Sequence, residues 1–174
     1  REVLPAYLFL VQRYWLKFGR LRWFLRPKTY NELLHRKMLR LRDPLLQLST
    51  EKVNARDYLA AKAGRDCLIP LHYVGADVDA IPFADLPAQY VIKASHGSGF
   101  NIIVGDKTTL DESAVKAQLR RWLDLDWYRL SCEWGYKGIP RRIMVEALLL
   151  ERGQLPANYR LFVFNGKVSF IGYK

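Results

Sequence analysis

The sequence predicts an α+β fold, and three observations carry that prediction. Apolar residues recur at helical spacing as far as Gly64. Beyond Gly64 the helical period gives way, for the most part, to short apolar runs of strand length. The last pair of runs is split by Asn165-Gly166, which suits the two positive φ angles of a type I′ hairpin turn. Helices first, then strands with one further helix, is the α+β order. Half of the 174 residues are apolar and 26% are charged. That composition excludes a disordered tail or a fibre and leaves enough chain for a core.

Residues 1–26 open with an apolar run from Val3 to Val11, followed by Arg13, Lys17, Arg20 and Arg22. A bilayer span needs about 20 apolar residues, so this run is too short. Its charges follow the run rather than precede it, which is the wrong order for a signal peptide. Tyr7, Leu8, Trp15, Phe18 and Trp23 stand among these basic residues. Two readings fit. The helix lies on an anionic membrane surface, or its aromatic side packs on the domain and its basic side is solvated.

Thr29 and Glu32 form a capping box, so a helix starts after Pro27. Tyr30, Leu33, Leu34, Met38 and Leu41 give its apolar spacing, and it ends before Pro44. A second helix is expected from Glu51 to Ala63, with Val53, Leu59 and Ala60 on its apolar side and Gly64 ending it. Strands are expected at Ile69–Val74, Tyr90–Ala94 and Phe100–Val104. Asp111 caps a helix to about Leu123 that turns Val115, Leu119, Trp122 and Leu123 inward. A buried strand follows at Arg142–Leu150, and a hairpin at Leu161–Phe164 and Lys167–Ile171.

The net charge of +11 is uneven. Residues 1–42 carry 11 Lys/Arg and 2 acids, and the remainder is close to neutral. A specific nucleic-acid binder is therefore not expected. Cys67 and Cys132 make no disulfide framework, which suits a reduced, cytoplasmic setting. His35, His72 and His96 lack metal-ligand spacing, and no GxSxG is present. Asp124-Leu-Asp126 has the letters of a sugar-nucleotide DxD motif, but it follows a helix instead of a strand.

The informative stretch is Tyr90-Val-Ile-Lys93-Ala-Ser95-His96-Gly97-Ser98-Gly99-Phe-Asn-Ile-Ile-Val104. A lysine ends an apolar strand, and a Gly/Ser loop follows it. A half-buried ammonium needs an anion, and glycines let successive N–H groups converge on a phosphate. An ordinary hairpin with a snorkelling lysine fits the same letters. Glu146, within an apolar strand, needs a partner: Lys93 or a sugar hydroxyl. Arg160 stands at the mouth of a later strand, where it suits either a phosphate oxygen or plain solvent.

Taken in order, several blocks resemble one family. They are Pro27-Lys-Thr-Tyr-Asn-Glu32, Arg42-Asp-Pro44, Glu51-Lys52 with Arg56-Asp-Tyr58, and Val91-Ile-Lys93-Ala-Ser-His-Gly-Ser-Gly99. Val145-Glu146, and Tyr159-Arg160 ahead of Phe164-Asn-Gly-Lys167, complete the set. The family is the TupA-like ATP-grasp proteins of bacterial cell-surface polysaccharide and teichuronopeptide biosynthesis, often labelled glycosyltransferases. The resemblance covers about residues 26–174.

It implies an ATP-grasp fold with nucleotide between two α+β halves, and ATP-dependent joining of a carboxylate and an amine through an acyl phosphate. Lys93 would hold the α- and β-phosphates. Ser95, His96, Gly97, Ser98 and Gly99 would form the flap over them. Glu146 with the Ala147 and Leu148 backbone would be the hinge to adenine. Arg160 would stand where the family usually has a phosphate-binding lysine, and it is the catalytic candidate. Departures from the family pattern are Glu51-Lys52 for Asp-Lys and Asn158-Tyr159-Arg160 for Asp-Tyr-Lys.

Magnesium is implied as cofactor, with its ligands expected beyond residue 174 and none within the chain. Composition sets off 1–26 as a basic aromatic helix, and the resemblance divides the rest into 27–66 (helical pre-domain), 67–140 (first ATP-grasp half) and 141–174 (hinge and start of the second half). The chain is thus expected to be a piece of a longer protein that binds ATP but turns over nothing alone. Expected partners are ATP, an unspecified carboxylate and amine or a sugar, and an anionic membrane at residues 1–26. The rival functions are a glycosyltransferase and a non-catalytic basic binding module.

Overall fold

A computed structural model describes residues 3–21, 24 and 26–173. The helices are α1 (Val3–Phe18), α2 (Tyr30–Arg40), α3 (Pro44–Thr50), α4 (Lys52–Ala63), α5 (Glu112–Asp124) and α6 (Trp127–Ser131). The strands are β1 (Leu71–Gly75), β2 (Tyr90–Ala94), β3 (Asn101–Val104), β4 (Ile143–Ala147), β5 (Tyr159–Phe164) and β6 (Lys167–Tyr173). The class is α+β, as the sequence predicts. Arg22 and Trp23 lie outside the described residues.

β1 to β4 form an antiparallel sheet in the order β1-β4-β2-β3. Side chains alternate across its strands. Tyr90, Ile92, Ala94, Ile143, Val145 and Val104 face one side, where Val115, Leu119 and Trp122 of α5 close the core. Asp111 starts α5 by accepting from Ala114 N at 2.9 Å. The opposite side of the sheet carries Val91, Lys93, Met144 and Glu146. Only part of it is covered, since Asn101 and Ile103 on β3 are exposed.

A second, smaller core joins Leu10, Val11 and Tyr14 of α1 to Phe24 and to Leu39 of α2. The capping box at Thr29 and Glu32 is present. The apolar spacing of α2 does not mark its buried side, however: Tyr30, Leu33, Leu34 and Leu41 are exposed. α2 ends before Pro44 as expected, but an unanticipated helix, α3, starts at Pro44 itself. Proline at the first helical position costs no backbone bond, and Asp43 caps the helix by accepting from Leu45 N at 2.9 Å. The apolar side expected of α4 is met only in part: Val53 and Ala60 are half-buried, but Leu59 is exposed and no residue of the helix is fully buried; its N-terminal side chains Lys52 and Arg56 face the sheet. On α1 the solvated side is not simply basic: Leu8, Trp15 and Leu16 point outward.

β5 and β6 form a separate hairpin turning at Asn165 (φ 49°) and Gly166 (φ 76°). Both residues sit in the left-handed region that the Asn-Gly pair tolerates. Phe164 meets Tyr30 edge-on at 6.5 Å, and most of the hairpin's apolar residues are exposed.

Candidate functional site

Glu51 sets the site from below. It caps α4 by accepting from Asn54 N at 2.7 Å, and it is fully buried. A carboxylate there needs a cation, and Arg142 supplies one at 2.6 Å while also reaching Asn54 Oδ1 at 2.8 Å. This pair fixes the start of α4 against the entry to β4. Lys52 and Arg56, one helical turn apart, are thereby aimed at the partly covered side of the sheet.

Lys52 Nζ donates to the carbonyls of Ala94 (2.9 Å) and Gly97 (2.5 Å), and its backbone N–H donates to Ser95 O at 3.3 Å. Burial, and next the Lys93 charge, hold its ammonium below the ordinary 10.5, while Glu51 and Glu146 pull the other way. Arg56 binds Ile69 O at 2.5 Å and lies 3.9 Å from Glu146. Lys93 of β2 pairs directly with Glu146 of β4. Glu146 is buried at 5% side-chain exposure, whereas Lys93 keeps 30%, so the ammonium remains reachable from solvent. Lys93 and Arg56 thus share one buried carboxylate, and Lys52 stands beside them on the loop carbonyls, which leaves positive charge over for an anion.

The loop after Lys93 is pinned at its base and open at its tip. Ser95 N–H donates to Arg142 O at 2.8 Å, and the ring Nε2 of His96 bonds Trp122 O at 2.8 Å. Both residues are buried. Burial holds the His96 imidazole below its ordinary 6.5, with the Trp122 carbonyl acting in the opposite direction. Gly97 is buried, while Ser98 and Gly99 are exposed. Gly99 has φ 79°, a conformation glycine takes at no steric cost. The backbone N–H groups of Ser98 and Gly99 have no partner among the described residues.

The structure therefore brings together Lys93, the 95–99 loop and Glu146. Ala147 ends β4, and its N–H is already given to Pro70 O at 3.0 Å; Leu148 follows, half-buried. Arg160 is exposed on β5 and does not join the cluster. It lines a separate cavity of about 760 Å³ with Glu151, Arg152, Asn158 and Tyr173. Sequence reasoning assigned no site role to Lys52, Arg56, Glu51 or Arg142. The signal was present: a cation pair at i, i+4 directly after a capping acid.

Among the described residues no three His, Cys, Asp or Glu side chains are grouped to hold a metal ion. Both acids of the cluster are engaged, Glu146 by Lys93 and Arg56 and Glu51 by Arg142. The described residues of the cluster do not fit a magnesium site. Asp126 of the DxD-like letters caps α6 and lies 3.5 Å from Arg141 and 3.7 Å from Arg129, so its carboxylate is committed to structure.

The model of a family described as TupA-like ATPgrasp matches residues 32–173. Among curated proteins and among solved structures there is no match. The chain belongs to the TupA-like ATP-grasp family.

Proposed function

We propose that this ATP-grasp protein binds the polyphosphate of ATP on the partly covered side of its four-stranded sheet. One observation carries the reading: Lys93 and Arg56 share the single carboxylate of Glu146, and Lys52 holds the carbonyls of the adjoining glycine loop, whose Ser98 and Gly99 N–H groups are free among the described residues. Lys93, the most reachable cation, takes the phosphate oxygens. The N–H groups of Ser98 and Gly99 close over them as a nest. Ser95 and His96 hold the base of the loop. Glu146, Ala147 and Leu148 form the wall on the adenine side. Arg160 acts on the γ-phosphate or the acceptor from the hairpin.

The reaction class proposed is carboxylate–amine ligation in cell-surface polysaccharide biosynthesis. The γ-phosphoryl group passes to a carboxylate to give an acyl phosphate and ADP, and an amine then displaces phosphate. The setting proposed is the cytoplasm, where ATP is available and Cys67 and Cys132 stay reduced.

Thermal melting tests this with ATP, with a UDP-sugar and with a short DNA duplex. ATP is expected to raise the melting temperature of the wild type and not of Lys93→Ala. Equal shifts in the two proteins, or a larger shift with the UDP-sugar, would overturn the assignment.

A further inference from the structure

α1 is apolar on two opposite sides. Leu10, Val11 and Tyr14 pack against Phe24 and Leu39. Leu8, Trp15 and Leu16, at spacings of seven and one, are 55%, 51% and 68% exposed on the other side. Phe18, 40% exposed, belongs to the first side, against Tyr14 at 4.6 Å. A soluble helix normally turns one apolar stripe inward and leaves the rest polar; here Gln12 interrupts the outward face, but Leu8, Trp15 and Leu16 on it are covered by no described residue. Basic residues border it: Lys17 and Arg20 are exposed, and Arg13 reaches across to Leu130 O at 3.2 Å. The surrounding sequence, residues 1–42, has only two acids against 11 Lys/Arg.

We propose that the Leu8–Trp15–Leu16 face of α1 docks on an anionic lipid surface, with Lys17 and Arg20 among the headgroups. Aromatic and aliphatic side chains on one face, flanked by cations, are the composition of a helix lying in a membrane interface. No helix among the described residues is long and apolar enough to cross a membrane, so α1 lies on the surface. Charge decides between occupants. A second copy seated on this face would bring two strongly basic segments together, whereas an anionic bilayer neutralises them. The exposed leucines have no use on a nucleic acid.

The test is co-sedimentation of the full chain with vesicles of phosphatidylglycerol and phosphatidylcholine in equal parts, and with phosphatidylcholine alone. Binding is expected only on the anionic vesicles, and it should weaken with salt. Leu16→Glu should lower the affinity about tenfold or more. Lys17→Gln with Arg20→Gln should lower it about thirtyfold, by loss of two headgroup contacts. These side chains are exposed, so unchanged melting temperatures distinguish loss of the surface from loss of the fold. Binding equal on neutral vesicles, no binding at all, or an unaffected Leu16→Glu overturns the proposal. So does a solution dimer that Leu16→Glu dissociates, which would give the face to a second copy.

Discussion

Lys93 and Glu146 meet diagonally across two paired strands. Lys93 stands in register with Met144, and its ammonium reaches the carboxylate two residues further along β4. The antiparallel register of β2 and β4 therefore sets which acid the lysine meets, and Arg56 from α4 approaches the same carboxylate from its other oxygen.

Replacing Glu146 by Gln leaves Lys93 and Arg56 without their counter-charge. Breaking a buried pair costs about 3–5 kcal/mol, and the partial exposure of Lys93 lowers that to about 1–3 kcal/mol. The variant should melt lower than the wild type in plain buffer and regain more of that loss on addition of phosphate or ATP. Urea titrations with and without phosphate read both quantities; equal gains in the two proteins would separate Glu146 from the anion site.

Lys52 acts on the loop through two carbonyls. Lys52→Met removes both bonds and keeps the aliphatic stem. The expected stability change is small, about 1–2 kcal/mol, because a lost pair of bonds is offset by relief of a half-buried charge. Amide exchange at Gly97, Ser98 and Gly99 should quicken far more than exchange in β2. Identical loop exchange in the two proteins would show that the ammonium does not hold the loop.

His96 gives the fold a defined acid limit. Its folded-state value lies below 6.5, so the unfolded chain takes up the proton first as pH falls. The native state then binds fewer protons than the unfolded one, and stability decreases with falling pH. The contribution is whole above about 6.5 and fades towards the lowered folded value. Denaturation between pH 7.5 and 5 should show this slope in the wild type, and His96→Gln should flatten it. A steeper slope in the variant would assign the acid sensitivity elsewhere.

Gly97→Ala and Gly99→Ala should fail for different reasons. A Cβ at Gly97 would stand 2.5 Å from the Phe100 ring. That ring cannot swing away, since it stacks on Trp122 at 5.3 Å and abuts Trp127 at 5.1 Å. Overpacking of this kind costs about 1–3 kcal/mol. At Gly99 the space is open but φ is 79°, which costs an L-residue about 1 kcal/mol. Melting curves should rank Gly97→Ala below Gly99→Ala, and the reverse order would contradict the packing described.

Much of the sheet was legible because its strands break their own apolar pattern in informative places. A lysine and a glutamate inside apolar runs each need a partner, and of the two partners the sequence offers Glu146, Lys93 or a sugar hydroxyl, the structure shows the pair with Lys93. The turn at Asn165-Gly166 and the cap at Asp111 follow from local chemistry in the same way. What sequence could not convey is which way a helix faces. α4 turns Lys52 and Arg56 inward because Glu51 and Arg142 fix its start, and that pair lies 91 residues apart. The leucines of α2 have helical spacing yet face out, since tertiary contacts choose the buried side. α3 was missed because Pro44 was read as an end, although it also serves as a beginning.

The aromatic stack at the loop has a practical use. Phe100 follows Gly99 directly and lies flat on the Trp122 indole with Trp127 at its edge. A ligand that draws the glycines inward changes the surroundings of two fluorophores that hold this ring in place. Intrinsic emission is therefore expected to follow the state of the loop, so that occupancy can be tracked in real time without attaching a dye.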